Sequence, residues 1–120
     1  MGVIYHANYL VWMEMGRTEL CKARGFNYKD MEKDGVFLAV TEANCRYLSP
    51  ARYDDPIAVL TTVAEANKRL VRFDYKIQHA DTGKLLCAGF TRHLFLNANL
   101  QPASLPAKYH DLFGILTRPA

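Results

Sequence analysis

No run of apolar residues in this chain approaches the ~20 needed to cross a bilayer as a helix, so no membrane span is expected. Cysteine is scarce: Cys21, Cys45 and Cys87 are an odd number at wide spacing, with no C-x-x-C pair, and suggest neither a disulfide framework nor a zinc site. That usage fits a reducing, cytoplasmic compartment. The basic-then-apolar pattern of an export signal is missing from the first residues, where His6 and Asn8 interrupt the one candidate run. Excess charge of one sign is missing too. Fifteen basic against twelve acidic residues leave a net charge of +3, which argues against a nucleic-acid binder but permits a local pocket for a phosphorylated small molecule. His79, His93 and His110 have no metal-ligand spacing, so no metal is expected. Repeats, linkers and low-complexity tracts are likewise absent.

What is present suits one globular unit. Half of the 120 residues are apolar, and a chain of this length buries roughly 65% of its unfolded surface, so residues 1–120 are expected to form a single domain without staples. From Tyr9 to about Arg24 the pattern is helical: Leu10, Met13, Arg17, Leu20 and Cys21 share one spacing, while Val11, Trp12 and Met15 make a second apolar side. Such a helix is expected to be largely buried. Asn8 reads as its N-cap, and Gly25 after Lys22 and Arg24 as its stop. A short second helix follows, capped by Asn27 and ended at Asp34-Gly35.

The period then changes to two. Val36 to Leu48, Ile57 to Ala66, Leu70 to His79 and Leu85 to Asn97 read as strands, the third with Val71, Phe73, Tyr75 and Ile77 inward. Ser49 to Pro56 is a loop with two prolines, Asn67-Lys68-Arg69 and Asp81-Thr82-Gly83 are turns, and Pro106 to about Phe113 reads as a closing helix. One helix and four antiparallel strands make an α+β plan in which a sheet curls around the helix and pairs with a second copy.

Three segments in order carry a resemblance: Gly2-Val3-Ile4-Tyr5-His6-Ala7-Asn8-Tyr9-Leu10, Glu14-x-x-Arg17-Thr18-Glu19-Leu20, and Tyr47-Leu48-Ser49-Pro50-Ala51-Arg52-Tyr53-Asp54-Asp55-Pro56. Together they resemble the hotdog-fold acyl-CoA thioesterases of the 4-hydroxybenzoyl-CoA thioesterase type, including the Tol–Pal-associated branch, over nearly the whole chain. The resemblance implies hydrolysis of an acyl-CoA to free acid and coenzyme A by a homodimer or homotetramer with sites across the interface. Coenzyme A enters as part of the substrate and no separate cofactor is implied. In such a site a backbone N–H at a helix start polarises the thioester carbonyl, and a carboxylate attacks it or activates water. Carried onto this sequence, that N–H belongs to His6. In the aspartate branch the catalytic Asp, and the edge strand before it, would precede Met1, which makes Met1-Gly2 resemble an internal position of a longer relative.

A second branch of the family carries its acid on the central helix eight residues after the polarising amide, and that position is Glu14. Glu14 is either this carboxylate or a helix-face partner of Arg17 or Thr18; buried beside Trp12 and Met13, it would have a raised pKa. The His6 side chain either touches the reacting group or stabilises the turn. Tyr5, Tyr9 and Trp12 either line an acyl pocket, suited to an aromatic or short-to-medium acyl group, or belong to the core; Asn8 shapes the site while capping the helix. Lys68, Arg69 and Arg72 either hold the coenzyme A phosphates or form a solvated turn, with Arg92 a weaker candidate. The cysteines are expected to pack. The rival reading is a non-catalytic hotdog module that binds acyl-CoA or assembles with partners, and a hotdog dehydratase ranks third.

Overall fold

Alternation is strongest at Leu70–His79, and this strand sits at the centre of the sheet. The computed structural model describes residues 7–25 and 28–109. Its elements are α1 (Ala7–Ala23), α2 (Tyr28–Lys33), β1 (Phe37–Tyr47), β2 (Ile57–Ala66), β3 (Leu70–His79), β4 (Leu85–Leu96) and a 3-10 turn, Ala107–Tyr109. The four strands form one antiparallel sheet in the order β1-β4-β3-β2. β2, β3 and β4 are the meander read from the sequence, while the proline-containing loop carries the chain from β1 to the opposite edge. On β3, Val71, Phe73, Tyr75 and Ile77 are all at most 2% exposed. Burial of each apolar side chain of this size contributes ~1.5–3 kcal/mol.

Helix α1 packs on this inner face, against β2 and β3. It is buried along one stripe rather than over most of its circumference: Tyr9, Met13 and Cys21 are buried and Trp12 and Leu20 pack beside them. Leu10, Val11 and Met15 are 46%, 51% and 59% exposed, which corrects the expectation of a largely buried helix. The start is corrected as well. Because α1 already includes Ala7, Asn8 lies in its first turn and is exposed, so it does not cap the helix from outside.

The helix ends follow their local chemistry. Gly25 adopts φ +80° and its N–H bonds the Lys22 carbonyl at 3.0 Å. After α2, the Val36 N–H bonds the Met31 carbonyl and the Gly35 N–H bonds the Glu32 carbonyl, both at 3.0 Å, with Gly35 at φ +77°. This Schellman arrangement brings buried Val36 onto buried Met31 and launches β1. Asn27, the expected cap of α2, lies outside the described residues. So does most of the expected closing helix, of which the described part is the Ala107–Tyr109 turn.

Contact between helix and sheet is closest at two glycines. A Cβ at Gly89 would collide with the Asn44 carbonyl and stand 2.9 Å from Met13 Cε; one at Gly16 would collide with Thr61 Oγ1 and stand 2.9 Å from Val59 Cγ1. Thr61 and Val59 are β-branched and stiff at χ1, so they cannot swing away. Gly16→Ala would gain ~1 kcal/mol of helix propensity, but overpacking costs ~1–3 kcal/mol. We expect a net loss of ~1 kcal/mol or more in denaturant unfolding. A stabilised Ala variant would show that α1 does not sit this close to β2.

Candidate active site

Two clefts flank α1. The first, about 620 Å³ including space open to solvent, lies between α1, α2 and β1 and is lined by Glu14, Arg17 and Thr18 with Met31, Glu32, Val36, Leu38, Val40 and His93. The second, about 880 Å³ on the same measure, lies on the β2 side and is lined by Trp12, Met15, Gly16, Glu19, Leu20, Ile57, Val59 and Thr61. Glu14 and Trp12 therefore face different clefts. Glu14 is exposed, not buried beside Trp12 and Met13 as expected, because the helix turns its buried stripe elsewhere. It forms no ion pair with Arg17: among the described residues, the ion pairs within 4.0 Å are Arg72–Asp74 and His79–Asp55.

A buried polar chain underlies the first cleft. The Tyr75 hydroxyl lies 2.6 Å from Thr91 Oγ1, which in turn lies 2.8 Å from His93 Nε2. Tyr75, Thr91 and His93 are each at most 3% exposed. The Arg17 guanidinium, reaching down from α1, is a hydrogen-bonding and charged neighbour of the Tyr75 hydroxyl and faces His93. Burial pushes the Tyr75 phenol up, with the Thr91 and Arg17 contacts pulling part-way back. Burial, and then the Arg17 charge, push His93 down from 6.5 to about 4, so it is neutral at pH 7. Phe73 stands edge-to-face against its ring at 5.4 Å.

These residues were not singled out as a group by sequence reasoning, which weighed His93 only as a metal ligand. The available signal was parity: Thr91 and His93 are polar residues at the inward positions of β4, between buried Cys87 and Phe95. Sequence spacing alone did not place Tyr75 beside them.

The other candidates separate. Tyr9 is core, 3% exposed, with its ring edge-on to Trp12 at 5.1 Å and to Tyr47 at 5.2 Å, and its hydroxyl accepting from the Ala51 amide. Lys68 and Arg69 are exposed on a hairpin whose backbone is fixed: Asn67 Oδ1 accepts from the Arg69 and Leu70 amides, and the Leu105 amide bonds the Lys68 carbonyl at 2.7 Å. Arg72 points to the outer face of the sheet, where its Nε bonds Asp74 at 3.0 Å and its guanidinium lies 4.1 Å above the Phe90 ring. It is thus on the opposite side of the sheet from Glu14. His79 Nδ1 accepts from the Asp81 and Thr82 amides and organises the β3–β4 turn. Tyr5, His6 and His110 lie outside the described residues. Cys87 is buried and its thiol pushed up to about 11 by that burial and by Cys45, which suits packing rather than reactivity. Among the described residues no three His, Cys, Asp or Glu side chains are grouped to hold a metal, and no helix is long and apolar enough to cross a membrane.

The model of the thioesterase-like superfamily matches residues 1–113. The chain belongs to this superfamily. It is 42% identical over 94 residues to YneP of Bacillus subtilis (strain 168), covering 78% of this chain and 67% of that protein. It is 29% identical over 80 residues to the acyl-CoA thioester hydrolase YbgC of Escherichia coli O6:H1, covering 67% of this chain and 60% of YbgC. The chain thus spans about two thirds or less of these curated relatives. The DHNA-CoA thioesterase of Staphylococcus aureus superposes with TM-score 0.87 at 31% identity, covering 96% of this chain and 77% of that one. The fold is the family's hotdog: an antiparallel sheet packed on its central helix.

The shifted His93 makes a prediction about stability. Unfolded, the imidazole takes up a proton near pH 6.5; folded, only near pH 4. Its neutral form therefore contributes stability that is fully present above pH 6.5 and is lost as the pH falls towards 4. Between about pH 7 and about pH 4.5 the native protein should lose ~2 kcal/mol more stability than His93→Phe, measured by denaturant unfolding. Equal losses in the two proteins would contradict the buried, neutral histidine.

Proposed function

We propose that this protein hydrolyses acyl-CoA thioesters to the free acid and coenzyme A. The observation that carries this reading is an exposed Glu14 carboxylate on a cleft lined by both polar and apolar side chains, on the central helix of a thioesterase-superfamily fold. The names of YbgC and of the Staphylococcus aureus enzyme support it. Placement within the 4-hydroxybenzoyl-CoA thioesterase type and its Tol–Pal-associated branch is part of the same proposal and rests on the three sequence segments described above. So does a single domain spanning the chain.

In the proposed mechanism Glu14 takes a proton from water as the water oxygen bonds the thioester carbon. Negative charge collects on the carbonyl oxygen, where the His6 backbone N–H and the positive end of the α1 dipole stabilise it. Collapse breaks the carbon–sulfur bond and expels the thiolate, which recovers the proton from Glu14. No separate cofactor takes part. Lys68 and Arg69, exposed on their fixed hairpin, hold the coenzyme A phosphates, while Arg72 is left to Asp74 and Phe90. Met31, Val36, Leu38 and Val40, on the Glu14 cleft, admit an aromatic or short-to-medium acyl group, while Trp12 lines the other cleft and is left out of this pocket. A second copy completes the assembly, as dimer or tetramer, over the exposed Leu10, Val11, Val40 and Tyr47. A cytoplasmic location accords with the three free cysteines.

Thiol release from benzoyl-type and short-to-medium aliphatic acyl-CoAs tests the proposal. The native chain should turn over at least one of them, and Glu14→Gln should lower kcat by about 100-fold or more with the fold intact by circular dichroism. A fully active Gln variant would remove Glu14 from the mechanism. A folded chain that binds coenzyme A yet releases no thiol would favour a non-catalytic binding module.

A further inference from the structure

The outer face of the sheet, turned away from α1, holds a third concavity. About 1090 Å³ including space open to solvent, it draws on all four strands and is lined by Arg46, Arg72, Lys76, Asp74, Ala88 and Phe90 among others. Its charged lining is three cations and one carboxylate. Register accounts for both the hollow and the charge. Arg46 of β1 pairs with Ala88 of β4, and Lys76 of β3 pairs with the same Ala88 from the other side, so a single methyl lies between two long cationic side chains. Strands stand ~4.8 Å apart, which puts the Arg46 and Lys76 backbones ~10 Å from each other, within reach of one oxyanion above Ala88. The row two residues before Arg72–Asp74 contact ends is different: Glu42, Arg92, Arg72 and Glu65 lie across the four strands with their charges balanced. The positive excess therefore belongs to the Ala88 row.

Two residues along β4, ~7 Å from Ala88, stands Phe90. The Arg72 guanidinium lies 4.1 Å above its ring, and Arg72 Nε bonds Asp74 Oδ1 at 3.0 Å. These two contacts hold the guanidinium in place while 41% of the Arg72 side chain stays exposed. A flat ring laid against the exposed side of Arg72 extends the stack that Phe90 begins. Asp74 is engaged with Arg72, which leaves Arg46 and Lys76 to attract an anion. An oxyanion and one ring span the step from Ala88 to Phe90.

We propose that this outer face binds a small aryl oxyanion, an aromatic carboxylate or aryl phosphate, with the anion between Arg46 and Lys76 and the ring against Arg72. A second copy fits the face poorly, because a two-fold contact brings the same cations of both copies together. The site lies across the sheet from Glu14 and does not depend on the thioesterase reading.

Titration of the full chain with benzoate and with phenyl phosphate, followed in nitrogen-15 spectra, is the test. At least one of them should shift the amides of Arg46, Lys76, Ala88 and Phe90 with a Kd of about 1 mM or tighter, and high salt should weaken it. Tighter binding of phenyl phosphate would support a phosphorylated ligand, and tighter binding of benzoate a carboxylate. Cyclohexanecarboxylate, which keeps the charge without the flat ring, and benzamide, which keeps the ring without the charge, should each bind about fivefold or more weakly than benzoate. Arg46→Gln with Lys76→Gln should weaken the preferred ligand by about tenfold or more. Both side chains are exposed, so circular dichroism should be unchanged; Arg46→Gln alone, on edge strand β1, should weaken binding by about threefold. No saturable shift below about 10 mM, shifts confined to the Glu14 cleft, or native affinity in the folded double variant would overturn the proposal. So would a dimer that the double variant loses while the native protein binds neither ligand, which would give the face to a second copy.

Discussion

The close approach of α1 to the sheet is the constraint on which the rest depends. At Gly16 the helix backbone meets Thr61 and Val59, and at Gly89 a missing side chain admits Met13 between β1 and β3. Because both contacts lack a Cβ, the helix lies low enough for Arg17 to reach the Tyr75 hydroxyl in the centre of the sheet. A higher helix would leave Tyr75, Thr91 and His93 as buried polar groups without a charged neighbour above them. The low helix also divides the space above the sheet, with Glu14 on one side and Trp12 on the other.

This arrangement separates an exposed carboxylate from a buried polar group. The exposed Glu14 meets solvent, whereas Tyr75, Thr91 and His93 below it are buried and hydrogen-bonded to one another. Hydrogen bonds in such surroundings are worth more than at the surface, and an unpaired member costs more. The cleft thus has an exposed acid near solvent and buried polar side chains at its base.

The sheet was legible in the sequence wherever one face is buried and the other wet. Val71, Phe73, Tyr75 and Ile77 alternate with Arg72, Asp74, Lys76 and Gln78, and the β2 and β3 boundaries match the reading to the residue. Gly25 and Gly35 were legible as stops because each must adopt a positive φ. The helix was harder. Leu10, Val11 and Met15 are as apolar as Met13, so the sequence does not say which of them faces this sheet and which face outward. Asn8 has the chemistry of a cap, yet the helix already includes the residue before it. The polar chain was least legible, since its members meet only through the register that sets Phe73 opposite Thr91 and Tyr75 opposite Gly89. Arg72 illustrates the same limit: close in sequence to Lys68 and Arg69, it is carried to the other face by the strand's period of two.

The most direct measurement is a crystal structure with a non-hydrolysable thioether analogue of an acyl-CoA. The account predicts the analogue's reacting carbon within reach of Glu14, directly or through one water, with the acyl chain running over Val36, Leu38 and Val40 towards His93. An acyl chain seated instead in the Trp12 cleft, or a reacting carbon remote from Glu14, would contradict it.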